Sequence, residues 1–218
     1  MTDLRPATPD DLQQAREIVQ KVREALARYQ DYHVAEVDGY VPFMPSVPQD
    51  VYHFANRERT GAEYMGDFDL ARPGSLLYTK KIFAGWKLVG AMYDAPPAAV
   101  PSELDERISL GIGRWHAHTN ICLPKGITED DVINGRVNAP PDISSAFNPQ
   151  GRRNADDGLR MRLGYLADPR FGFAGTISDS AECEAAGGTF HKQIFGWMIH
   201  VYPFAGDDLK VAFGTQVP

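Results

Sequence analysis

The run RWHAHTNIC, from Arg114 to Cys122, constrains this chain more than any other feature. Its apolar and β-favouring residues predict a strand, and on a strand alternate side chains point the same way. Arg114, His116, His118, Asn120 and Cys122 are therefore expected on one face, with Trp115, Ala117, Thr119 and Ile121 on the other. Both faces read as semi-buried. A buried pair of imidazoles is costly without a metal or an anion partner. Two imidazoles two residues apart on a rigid strand can chelate one ion, and neutral imidazole suits zinc, copper, iron and nickel. The competing reading is two histidines on a solvated strand face.

A chelate needs further ligands. His200 lies in the apolar strand FGWMIHVYPF, sharing a face with Met198 and Tyr202 while Trp197, Ile199 and Val201 take the other. A lone histidine in such a strand is commonly a core residue held by a hydrogen bond. A second strand offering a histidine to the same interior makes it a candidate ligand. His53, in the aromatic run VYHFAN, is the fourth candidate, so the predicted metal set is His116, His118, His200 and His53. His33 and His191 are expected to be exposed, and Glu63 or Asp67 could complete a site. Cys122 has two readings: a thiolate ligand, which would select Cu(I) or zinc, or a disulfide with Cys183. The disulfide is favoured, because a staple stabilises most where it closes a long, weakly structured loop, here by about 4 kcal/mol.

The chain of 218 residues suits a single domain, 1–218, with a long irregular excursion at about 123–190 rich in Gly, Pro, Asn and Asp. A net charge of -7 repels phosphate backbones and argues against nucleic acid as a partner. The local basic stretch of Arg152, Arg153, Arg160 and Arg162 is diluted by Asp156 and Asp157 and reads as a solvated loop. No apolar run approaches the length needed to span a bilayer, and the first residues, MTDLRPATPDDLQQ, hold no apolar core of a signal peptide. The sequence contains no P-loop, dinucleotide fingerprint, nucleophile elbow, HExxH or CxxC.

Residues 8–30 are predicted to form a helix, with Thr8 as N-cap, Pro9 in the first turn, and Leu12, Ala15, Ile18, Val19, Val22 and Leu26 on its buried face. Residues 39–73 read as an ordered, irregular segment. Ser75–Phe83 and Trp86–Tyr93 read as a hairpin around Ala84-Gly85. A Pro-rich loop, a long strand from Arg107 to Cys122, a strand from Gln193 to Phe204 and a short last strand over Leu209–Thr215 complete the reading. SDSAECEAAGG is a candidate short helix, capped by Ser178 or Ser180 and ended by Gly187-Gly188. The fold class is thus α+β: an N-terminal helix packed on an antiparallel sheet or partly closed β-barrel, with the histidines facing its interior.

Several segments resemble a broad family of uncharacterised, often exported bacterial proteins: ARYQDY at Ala27–Tyr32, YHFAN at Tyr52–Asn56, FDLARPGSLLY at Phe68–Tyr78, WHAHTNIC, CEAAGGTF and IFGWMIHVYPF. The resemblance implies that His53, His116, His118 and His200 occupy motif positions. It also implies a Cys122–Cys183 bridge and a periplasmic or secreted location, the cytoplasm being the alternative. A second resemblance is to cupins, whose first motif places His-x-His on a strand after a glycine, as Gly113 precedes His116 and His118. The resulting expectation is a protein that binds one transition metal ion (copper, zinc or iron) without turnover. The alternative is a cupin-like mononuclear metalloenzyme, of oxygenase or hydrolase type, whose three histidines leave a position open for a small-molecule ligand.

Overall fold

The computed structural model describes residues 1–43, 49–81, 85–128, 131, 170–173 and 175–215. The basic stretch at Arg152–Arg162 and most of the long excursion lie outside these residues.

Helix α1, Pro9–Leu26, begins where the sequence places it. The Thr8 hydroxyl accepts from the Asp11 N–H at 3.2 Å, and the Asp11 carboxylate accepts from the Thr8 N–H at 2.7 Å. Arg5 and Ser109 also donate to Asp11, and these bonds, Arg5's foremost, hold its carboxyl well below the usual range. The helix tightens into a 3-10 turn over Ala27–Gln30 and is followed by α2, Tyr32–Val37. Ala15, Ile18, Val19, Val22 and Leu26 are buried as expected, whereas Leu12 is 38% exposed. Leu12 sits in the first turn of α1, beyond the reach of the core.

Six strands form one open antiparallel sheet: β1 (Val41–Pro42), β2 (Tyr52–Ala55), β3 (Ser75–Lys81), β4 (Gly85–Ala95), β5 (His116–Leu123) and β6 (Thr189–Val201). Their order is β1-β2-β3-β4-β6-β5. The 39–73 segment is more regular than its Pro and Gly content suggests. It contains β1, β2 and helix α3 (Arg57–Tyr64), which Asn56 caps by accepting from the Arg59 N–H at 3.1 Å. The predicted strand from Arg107 is shorter than expected, because its first residue ends helix α4, Pro101–Arg107. Pro101 at the first helical position and Glu103, whose carboxylate accepts from the Val100 N–H at 2.9 Å, start that helix. Likewise Leu209–Ala212 is helical (α6), because Asp208 accepts from the Lys210 N–H at 2.9 Å and turns the chain. The candidate helix in SDSAECEAAGG is α5, Ser180–Ala185, capped by Asp179 and not by a serine; Gly187, at φ +77, follows its end.

The chain falls into two compact units. Among the described residues, one is built from the chain up to Ala117 and again from Gly196 onward, and the other lies within His118–Phe195. The first owns the main core. Phe54, Leu76, Tyr78, Leu88, Ala91, Tyr93, Ile199 and Val201 project from one face of β2, β3, β4 and β6 and pack with the buried face of α1. The second has a small core of Cys122, Ile177 and Cys183, with Phe171, Ala186 and Phe190 against it. Cys122 and Cys183 are disulfide-bonded, with Cα atoms 5.7 Å apart.

Candidate metal centre

The alternation of the strands sorts side chains between the two faces of the sheet. On β2, Tyr52 and Phe54 enter the main core, so His53 points to the opposite face. On β6, Ile199 and Val201 enter the core, which turns Met198 and His200 to that same opposite face. Register then fixes the neighbours. His53 lies opposite Leu77 of β3, Leu77 opposite Gly90 of β4, and Met92 of β4 opposite His200.

Strands β3 and β4 separate His53 from His200, roughly 14 Å at ordinary strand spacing. The imidazoles nevertheless reach each other: their Nε2 atoms are 3.4 Å apart and their ring centroids 5.5 Å. Gly90 lies between them on this face and contributes no side chain. A Cβ at Gly90 would collide with the Val201 carbonyl oxygen and come within 3.0 Å of Tyr202 Cδ1. The bare glycine therefore seats both the β6 backbone and the Tyr202 ring.

Tyr202 completes the arrangement. It is 1% exposed, its N–H donates to the Ala212 carbonyl at 2.7 Å, and its hydroxyl stands 3.1 Å from His200 Nδ1. Burial pushes its phenol up to about 12, so the hydroxyl keeps its proton and can either donate to or accept from the imidazole. His116, at the start of β5, sets its ring edge-on to His200 with centroids 5.0 Å apart. Its position follows from Trp115, which is fully buried, donates its indole N–H to the Ile108 carbonyl at 3.2 Å and is tied through its backbone to Thr2.

The histidines thus form a trio arranged around His200: His53 by nitrogen-to-nitrogen approach and His116 by ring contact. His118 belongs to the second unit. It packs against Phe173 at 4.9 Å and Phe195 at 6.1 Å, and burial lowers its pKa, favouring neutral imidazole. The expected alternation beyond it stops at Asn120, whose φ of +55 is left-handed. Ile121, Cys122 and Leu123 are then buried in succession, and Cys122 is committed to its disulfide. Phe195 on β6 is left-handed too, at φ +68.

The remaining candidates separate cleanly. His33 is exposed and bonded to Glu36 at 3.0 Å, and His191 is half-buried on β6. Asp67 is ion-paired with Arg59 at 3.1 Å. Glu63 is fully buried, and each of its oxygens accepts a backbone N–H: Oε1 from Gly74 at 3.1 Å and Oε2 from Asp94 at 2.7 Å. The Asp94 carboxyl accepts from the Thr60 hydroxyl at 3.2 Å and lies beside the Glu63 carboxyl. A Cβ at Gly74 would collide with Asp94 Oδ2 and lie 2.7 Å from Glu63 Oε2, so glycine is what lets the two carboxyls meet. Desolvation, and for Glu63 also the adjacent Asp94 charge, drive this pair well above the usual carboxylate range. Sequence reading offered Glu63 only as a possible ligand and passed over Asp94, although an acid inside the apolar strand LVGAMYDA was the available signal.

Among the described residues, no group of three or more His, Cys, Asp or Glu side chains is disposed to hold a metal ion. No described helix is long and apolar enough to cross a membrane. The chain matches no family model, no curated protein and no solved structure.

Proposed function

We propose that this protein binds a single transition metal ion through the Nε2 atoms of His53 and His200, with His116 supplying a third imidazole by a small rotation toward them. The observation that carries the reading is the 3.4 Å between the two Nε2 atoms. Two imidazoles bound at 2.0–2.1 Å with a tetrahedral angle place their nitrogens about 3.4 Å apart. The pair already has the spacing of two ligands sharing an ion, and a third ring is in contact with one of them. Tyr202 suits this role, since its oxygen can accept from His200 Nδ1–H and so leave the Nε2 lone pair toward the ion. The Cys122–Cys183 bond removes thiolate from the donor set and supports an oxidising compartment as the site of action. The function is one of binding, in metal carriage or sensing, with copper, zinc and iron as the candidate ions.

The test is a stoichiometric titration of tag-free protein, stripped with chelator, with Zn(II), Cu(II), Cu(I) and Fe(II). One equivalent bound, and its loss in the His53→Ala/His200→Ala double variant, is the expected result. Unchanged stoichiometry in that variant would overturn the assignment.

A further inference from the structure

Met92 stands directly across β4 and β6 from His200, on the face that carries the imidazoles. Residues directly opposite in an antiparallel pair have Cβ atoms about 5 Å apart. A thioether on a flexible three-bond arm there is within reach of an ion held at His200 Nε2. Met92 is 8% exposed, and it is absent from the core cluster on the other face of the sheet. It belongs to the histidine face.

We infer that the ion this site takes is monovalent copper, with the Met92 thioether as a donor beside the imidazoles of His53 and His200. The inference rests on the metal-binding reading above and goes beyond it by choosing the ion. Two properties of the site lead there. The first is softness: a thioether prefers Cu(I) and adds little for zinc or ferrous iron. The second is charge. His53, His200, His116 and Met92 are all neutral donors, and Asp94, the carboxyl on this face two residues from Met92, is committed to Glu63 and Thr60. Cys122 offers no thiolate because it is bonded to Cys183. The cost of moving an ion from water into a half-buried site rises with the square of its charge, so neutral donors hold a monovalent ion more readily than a divalent one.

The experiment is an anaerobic competition for Cu(I) against bicinchoninate, run beside a Zn(II) titration, on the full chain, on Met92→Leu and on Met198→Leu. Leucine conserves volume and apolarity, so the packing of β4 and β6 is kept, and far-UV circular dichroism verifies the fold of each variant. Met92→Leu is expected to weaken Cu(I) binding by about tenfold or more while leaving Zn(II) binding within about twofold, as a soft donor requires. Met198→Leu, which changes the other buried methionine of this face, is expected to alter neither. Equal effects on the two ions, no effect on Cu(I), or the loss appearing in Met198→Leu would each overturn the role of Met92. Wild-type protein that binds zinc but not Cu(I) would overturn this inference and leave the metal-binding reading standing; binding of neither ion would overturn both.

Discussion

Replacing Asp94 by asparagine should remove a pH dependence built into the first unit. Glu63 and Asp94 are buried side by side, and desolvation holds a proton on the pair. Both Glu63 oxygens accept backbone N–H groups, an environment suited to carboxylate. These bonds, and the Thr60 hydroxyl donating to Asp94, only partly offset the desolvation that drives both carboxyls upward, so the pair as a whole keeps a proton. In the unfolded chain both acids are ionised above about pH 5. The native pair retains one proton well beyond that, so the folded state binds more protons and stability falls as pH rises. The slope is about 1.4 kcal/mol per pH unit, or about 4 kcal/mol between pH 5 and pH 8. The asparagine would supply a permanently neutral group, its amide N–H donating to Glu63 and its oxygen accepting from Thr60. Urea denaturation in the presence of a chelator at half-unit pH intervals reads the effect. The difference in unfolding free energy between wild type and Asp94→Asn should change linearly with pH in favour of the variant. Parallel pH profiles would show that the pair titrates normally and that the shared proton does not exist. Glu63→Gln is the internal control: its amide would set an N–H against a backbone N–H and destabilise the fold at every pH.

Four further outcomes follow from the geometry. Tyr202→Phe removes the hydroxyl 3.1 Å from His200 Nδ1 and should weaken metal binding by about 10- to 100-fold in competition titrations, as loss of an outer-sphere partner does. Its apo form should also show a changed His200 tautomer in nitrogen-15 NMR; unaltered tautomer and affinity would refute the role. His118→Leu, in the second unit against Phe173 and Phe195, should leave metal stoichiometry at one equivalent, and loss of the ion would show that His118 is a ligand. Gly90→Ala should lower both the melting temperature and metal affinity, since its Cβ meets the Val201 carbonyl and the Tyr202 ring. Reducing the Cys122–Cys183 bond, which joins residues 61 apart, should cost the second unit about 4 kcal/mol in denaturant unfolding, and an unchanged transition would refute that figure.

The α+β architecture was legible because its strongest signals are periodic. The Thr8 cap and the spacing from Ala15 to Leu26 define α1, and the hairpin from Ser75 to Ala95 announces itself by apolar runs around a glycine turn. Short elements escaped where one residue decides them. Pro101 and Glu103 start α4 inside what reads as a Pro-rich loop, and Asp208 turns a nominal strand into α6. At the site, the candidate ligands and the face shared by His200 and Tyr202 follow from alternation alone. What alternation cannot supply is the reach across strands. The sequence makes His116 and His118 look like the focus, yet His200 is the ring in contact with both His53 and His116. That outcome depends on Gly90 clearing the face, which has no periodic signature. The Glu63–Asp94 pair is equally non-local, assembled from α3 and β4 around Gly74.

Diffraction from metal-loaded crystals at the absorption edge of the bound ion tests the central claim most directly. The expected result is one anomalous peak about 2.0–2.1 Å from Nε2 of both His53 and His200, the bond length of an imidazole ligand. A loaded crystal with no peak between those two nitrogens, or with its peak elsewhere on the chain, would contradict the account.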